Sequence, residues 1–93
     1  MAARGLILLA EDEDGVRAIA ADLLRRHGYD ALEAVDGLEA LAMIQARGTQ
    51  IGRIICDAVM PGLEAPELVR HAAQWIPADR FFVRSGYDNR ARG

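Results

Sequence analysis

The sequence has 93 residues and a mass of 10.1 kDa, room for one domain, and its 11 basic against 14 acidic residues leave a net charge of −3, which speaks against a dedicated nucleic-acid or membrane-surface binder. With 52% hydrophobic and 27% charged residues the balance is that of a globular chain, and no apolar run approaches the roughly 20 residues a membrane helix needs. The single Cys56 excludes an internal disulfide and a multi-cysteine metal site, and every one of the 11 basic residues is Arg, with no Lys.

The opening residues lead into a short apolar run that ends in acids rather than in a small-residue cleavage site, so a cytoplasmic chain is expected. Leu6 to Ala10 is an unbroken apolar run of the kind a buried parallel strand requires. Val16, Ile19, Ala20, Leu23 and Leu24 recur at helical spacing. They predict a helix over about 15–27, capped by Asp14, with Arg25 and Arg26 at its negative end and Gly28 just past it. Tyr29 to Ala34 reads as a second strand. Asp36 with Glu39 resembles a capping box and starts a second helix that stops at Gly48. Ile51 to Cys56 is a third strand ending on Asp57, followed by a loop over Ala58-Val59-Met60-Pro61-Gly62. Pro66 suits the first turn of a third helix with Leu68, Ala72, Trp75 and Ile76 on one face, ended by Pro77. Phe81, Phe82 and Val83 form a fourth strand; a loop begins at Ser85-Gly86-Tyr87, and residues 88–93 are expected to fray. Residues 1–93 thus read as one domain.

The order βαβαβαβ implies a parallel α/β sheet with helices on both faces, in which ligands bind beyond the carboxyl ends of the strands. Glu11 and Asp12 end the first strand and Asp57 ends the third. If those strands are neighbours, three carboxylates converge, with Ser85 arriving from the fourth. Like charges so close need a cation or a shared proton. Hard oxygen ligands with one or two direct carboxylates suit Mg²⁺, and a carboxylate can also attack phosphorus to form an acyl phosphate. The constellation reads as an aspartate that accepts a phosphoryl group beside a metal.

Three segments carry a family resemblance: Leu6-Ile7-Leu8-Leu9-Ala10-Glu11-Asp12-Glu13, Ile54-Ile55-Cys56-Asp57-Ala58-Val59-Met60-Pro61-Gly62, and Phe82-Val83-Arg84-Ser85-Gly86-Tyr87. Together, and in this order, they resemble bacterial two-component response-regulator receiver domains. The resemblance implies a doubly wound, flavodoxin- or CheY-like (βα)5 fold with strand order 2-1-3-4-5, here lacking the last helix-strand-helix portion. It implies Asp57 as phosphoacceptor, and Asp12 and Asp57 as side-chain ligands of Mg²⁺. Glu11 would hold a metal-bound water, the Val59 backbone carbonyl would complete the protein ligands, and Ser85 would be the switch hydroxyl. The phosphodonor it implies is a phosphohistidine on a sensor histidine kinase or phosphotransfer protein. The domain would be a signalling phosphoacceptor rather than an enzyme, with at most self-catalysed phosphotransfer and autodephosphorylation.

The chain departs from the family after the fourth strand. The lysine that follows the family's fifth strand has no counterpart, the switch aromatic is missing because Tyr87 lies too early, and Glu64-Ala65-Pro66 replaces an Asp-Gly turn. The chain is therefore read either as a fragment of a longer protein or as a truncated receiver. An alternative is a degenerate receiver-like interaction domain that is not phosphorylated. A further one starts from Asp12-Glu13-Asp14-Gly15-Val16, which resembles the opening of haloacid-dehalogenase-type phosphohydrolases with Asp12 as nucleophile. That family's downstream lysine and late acidic pair are absent. His27 and His71 read as solvent-facing, Cys56 as core, Trp75 as core or partner surface, and Arg17, Arg25, Arg26 and Arg47 as solvated helix faces. With no fifth strand beside the fourth, the isolated chain is expected either to self-associate through that edge or to be only loosely folded.

Overall fold

Strands and helices alternate along the chain in the computed structural model, which describes residues 5–58, 60 and 62–84. They are β1 (Leu6–Ala10), α1 (Asp14–Arg26), β2 (Asp30–Ala34), α2 (Gly37–Arg47), β3 (Ile51–Asp57), α3 (Ala65–Ala72) and β4 (Phe81–Arg84), with short 3-10 turns at Gly48–Gln50 and Ala78–Arg80. All described strand pairs are parallel and the sheet order is β2-β1-β3-β4. β1 lies between two strands, so its apolar run is buried almost throughout. The loops after Ser85, the Val59 carbonyl, Tyr87 and residues 88–93 lie outside the described residues.

The order of connections decides which face each helix covers. The β1–β2 crossover runs one way along the sheet, while the β2–β3 crossover returns past β1. Two right-handed crossovers in opposite directions place their helices on opposite faces. Strand alternation agrees with this. Leu8, Ala10, Ile54 and Cys56 share one buried cluster with Ile44 of α2 and Leu68 of α3. Ile7 and Leu9, also buried, point to the other face, and α1 packs on β1 and β2.

Several local expectations are corrected. Asp14 does not cap α1. Glu13 occupies the cap position without a side-chain bond, and Asp14 is the first helical residue, paired with Arg17 at 2.7 Å. α1 also leaves part of its apolar stripe open: Val16, Ala20 and Leu24 are half-buried, whereas Ile19 is 67% and Leu23 51% exposed. At its end Gly28 takes φ 93°, the left-handed conformation that turns the chain into β2 and that glycine adopts without strain.

α2 begins as a displaced capping box. Asp36 Oδ1 accepts from the Glu39 backbone N–H at 2.8 Å, but Glu39 Oε1 accepts from the N–H of Val35, not of Asp36, at 2.7 Å. α3 ends at Ala72, five residues before Pro77. Trp75 and Ile76 donate their backbone N–H groups to the Ala72 carbonyl in a tight turn instead. Ile76 is nevertheless buried and Trp75 packs against the core, because the turn folds back over the same apolar cluster.

Candidate functional site

The carboxyl ends of β1 and β3 lie side by side, with Ala10 opposite Cys56 in register. The residues that follow, Glu11 and Asp12 on one strand and Asp57 on the other, therefore meet. One carboxylate oxygen from each lies within 4.8 Å of the others. Glu11 extends the ladder past β1 by donating its backbone N–H to the Ala34 carbonyl at 3.0 Å, so its side chain is held inward. Its side chain is only 7% exposed and that of Asp57 16%, while Asp12 is open to solvent. The acids predicted from the strand ends are thus brought together. Val59 and Ser85 fall outside the described residues.

Burial has a clear electrostatic cost here. Removal from water, then a hydrogen bond with Asp57, pushes the Glu11 carboxyl up to about 7 from an ordinary 4.5, against the opposing pull of the Glu13 backbone N–H and Arg84. The Glu13 N–H donates to Glu11 Oε2 at 3.1 Å. Three clustered oxygens of this type, two of them sheltered, match the ligand set of a hard divalent cation, so Glu11, Asp12 and Asp57 could hold Mg²⁺. Cys56, beside Asp57, is buried and its thiol is raised to about 11, first by burial and then by the Asp57 charge, so it is core, as expected.

Two arginines shape this site, and neither is assigned to it by the sequence. Arg17 is not a solvated helix-face residue: its side chain is 13% exposed. Its guanidinium donates to the Glu11 carbonyl at 2.8 Å and to Asp14 at 2.7 Å, and lies 3.4 Å from Glu33. One planar fork thereby ties the acidic loop to α1 and β2. Arg84 pairs in register with Asp57, and its Nη2 lies 3.2 Å from Asp57 Oδ1 and 3.7 Å from Glu11 Oε1. The available signal was positional: a cation at the last residue of β4, one before Ser85. His27 and His71 are exposed, as expected of solvent-facing residues.

Comparison with known proteins gives a consistent result. The sequence profile of the response regulator receiver domain matches residues 7–90. The sensor kinase CckA of Brucella abortus is 37% identical over 81 residues, 87% of this chain but 9% of that protein. The CAI-1 autoinducer sensor kinase/phosphatase CqsS of Vibrio cholerae is 33% identical over 69 residues, 71% of this chain and 10% of that protein. The chain thus spans about a tenth of the length of these two relatives. Among solved structures, the receiver domain of a hybrid histidine kinase CckA superposes with a TM-score of 0.84 at 42% identity, covering 91% of this chain and 79% of that one. A response regulator receiver domain from Clostridium thermocellum gives the same TM-score at 23% identity, over 95% and 70% of the two chains, which speaks for the fold alone.

Proposed function

The chain belongs to the response regulator receiver domain family, a family of two-component signalling domains, and we propose that Asp57 is its phosphoacceptor in a Mg²⁺-dependent phosphorelay. The observation that carries this reading is the meeting of Glu11, Asp12 and Asp57 at the carboxyl ends of two neighbouring strands. Asp57 combines the needed properties: it ends a rigid strand, is mostly sheltered, and shares its pocket with two further acids. Residues 1–93 are read as a single, partial receiver domain.

In the proposed reaction an Asp57 carboxylate oxygen attacks the phosphorus of a phosphohistidine. The new O–P bond forms as the N–P bond breaks, and the imidazole leaves with the electron pair. Glu11, Asp12, Asp57 and the Val59 carbonyl would hold Mg²⁺, which when bound supplies neutralisation of the charge that builds on the phosphoryl oxygens. The chain's own contribution is positioning. β3 fixes Asp57, Arg17 fixes the loop bearing Glu11 and Asp12, and the Ser85 hydroxyl is assigned to the phosphoryl oxygens as the switch contact. A sensor histidine kinase or phosphotransfer protein as donor is supported by the two sensor kinases among the relatives.

The test is an intact-mass measurement after incubation with Mg²⁺ and acetyl phosphate. The wild type should gain the mass of one phosphoryl group, and Asp57→Asn should gain none. Asp12→Asn should still bear the acceptor but react more slowly and need more Mg²⁺. A wild type that gains no mass points instead to a receiver-like interaction domain, and sustained release of phosphate from phosphomonoesters points to a hydrolase acting through Asp12.

A further inference from the structure

Among the described residues, Arg84 is the cation that faces the acid pocket. We propose that Arg84 is the built-in counter-cation of the site. Its guanidinium compensates Asp57 and Glu11 in the metal-free protein and moves onto the phosphoryl oxygens once Asp57 carries them. The second half rests on the phosphoacceptor reading above; the first half stands without it.

Three observations support the assignment. The β3–β4 register sets Arg84 directly across from Asp57, and the Ala58 backbone N–H donates to the Arg84 carbonyl at 2.8 Å, so its backbone is pinned beside the acceptor. The side chain reaches both sheltered acids, at 3.2 Å and 3.7 Å, and its other ion-pair partners among the described residues are none. Its side chain is also 54% exposed, so the head group can swing by rotamer changes without disturbing the core. Chemistry favours the second position as well: a planar guanidinium offers paired donors that match phosphoryl oxygens better than a single carboxylate oxygen. A salt bridge this exposed adds little to folding stability. Its consequence lies in the site, where the guanidinium and a divalent cation compete for the same Asp57 carboxylate.

That competition gives a measurable sign. Mg²⁺ alone is titrated calorimetrically into the wild type, Arg84→Gln, Arg84→Lys and the control Arg53→Gln. The control removes the same charge from the neighbouring strand, where Arg53 lies over the Phe82 ring at 5.4 Å rather than against the acids. Arg84→Gln should bind Mg²⁺ tighter, on the order of tenfold, because a positive charge beside the metal site is gone. Arg84→Lys should stay near the wild type, and Arg53→Gln should differ little from it. The second measurement is the rate of acyl-phosphate formation from acetyl phosphate at saturating Mg²⁺. In that step the Asp57 oxygen bonds to phosphorus while acetate leaves with the electron pair of the broken P–O bond. Arg84→Gln should slow it by roughly 10–100-fold, the size expected for losing one charge-stabilising contact, and Arg84→Lys should recover much of the loss. Unchanged Mg²⁺ affinity in Arg84→Gln overturns the counter-cation role. Tighter Mg²⁺ binding with an unchanged phosphorylation rate overturns the phosphoryl contact. If the wild type itself accepts no phosphoryl group, the phosphoacceptor reading and the second half fail together, while the Mg²⁺ titration still decides the first.

Discussion

A carboxyl held out of water beside a second carboxyl makes the fold sensitive to protons, and at Glu11 the sign can be worked out. Its folded value of about 7 lies above its ordinary 4.5, so between these values the folded chain binds more proton than the unfolded one. The favourable contribution is fully present below about 4.5 and is lost as pH rises through about 7. In EDTA, the melting temperature of the wild type should therefore fall relative to Glu11→Gln as pH goes from about 5 to 8, and Mg²⁺ should close the gap. A difference between the two proteins that stays flat over this range would refute the assignment. The acids themselves were legible in the sequence because they stand at the ends of short apolar runs of the kind a buried strand requires. Arg17 and Arg84 were not. An arginine on a helix or at a strand end has the same local pattern whether it faces water or a carbonyl, and only the register and the packing of α1 against β2 show which.

At the level of elements, the junction between α2 and the loop after β3 is the tightest described here. A Cβ on Gly37 would come within 1.9 Å of the Leu63 carbonyl oxygen, a backbone atom that cannot rotate aside. Alanine is the better helix former, yet Gly37→Ala should destabilise the chain by about 1–3 kcal/mol, as overpacking does. Asp36→Ala, which removes the cap bond to Glu39, should cost about 1 kcal/mol. Urea unfolding of both variants checks the order, and Gly37→Ala at wild-type stability would mean that the loop gives way. The cap at Asp36 was readable from its spacing to Glu39, whereas the close approach at Gly37 was not, since it depends on a segment 26 residues further along. The same division explains the helix ends. α2 stops where its glycine predicts, but α3 ends at Ala72, where the Trp75 and Ile76 N–H groups turn back onto one carbonyl, a detail that no spacing in the sequence marks.

The whole molecule leaves apolar surface that its described elements do not cover. Element types and their alternation came from hydrophobic periodicity, but the order β2-β1-β3-β4 came from the family resemblance, since nothing local in a parallel strand names its neighbour. That order puts β4 at an edge of the described sheet. Phe82 is 51% and Val83 46% exposed there, and Ile19 and Leu23 add further apolar area on α1. An open strand edge flanked by large apolar side chains pairs readily with another chain. The 93-residue chain should therefore self-associate as its concentration rises, with β4 at the contact. Phe82→Glu places a charge on that edge and should lower the weight-average mass. Val35→Glu makes a like change at another exposed apolar residue, next to the opposite edge strand, and should leave the mass unaltered. Light scattering over a concentration series separates the two, because hydrophobic patches in general would respond to both substitutions while pairing at β4 responds to one. A compact monomer at every concentration, melting cooperatively, would mean that residues beyond Arg84 cover this edge.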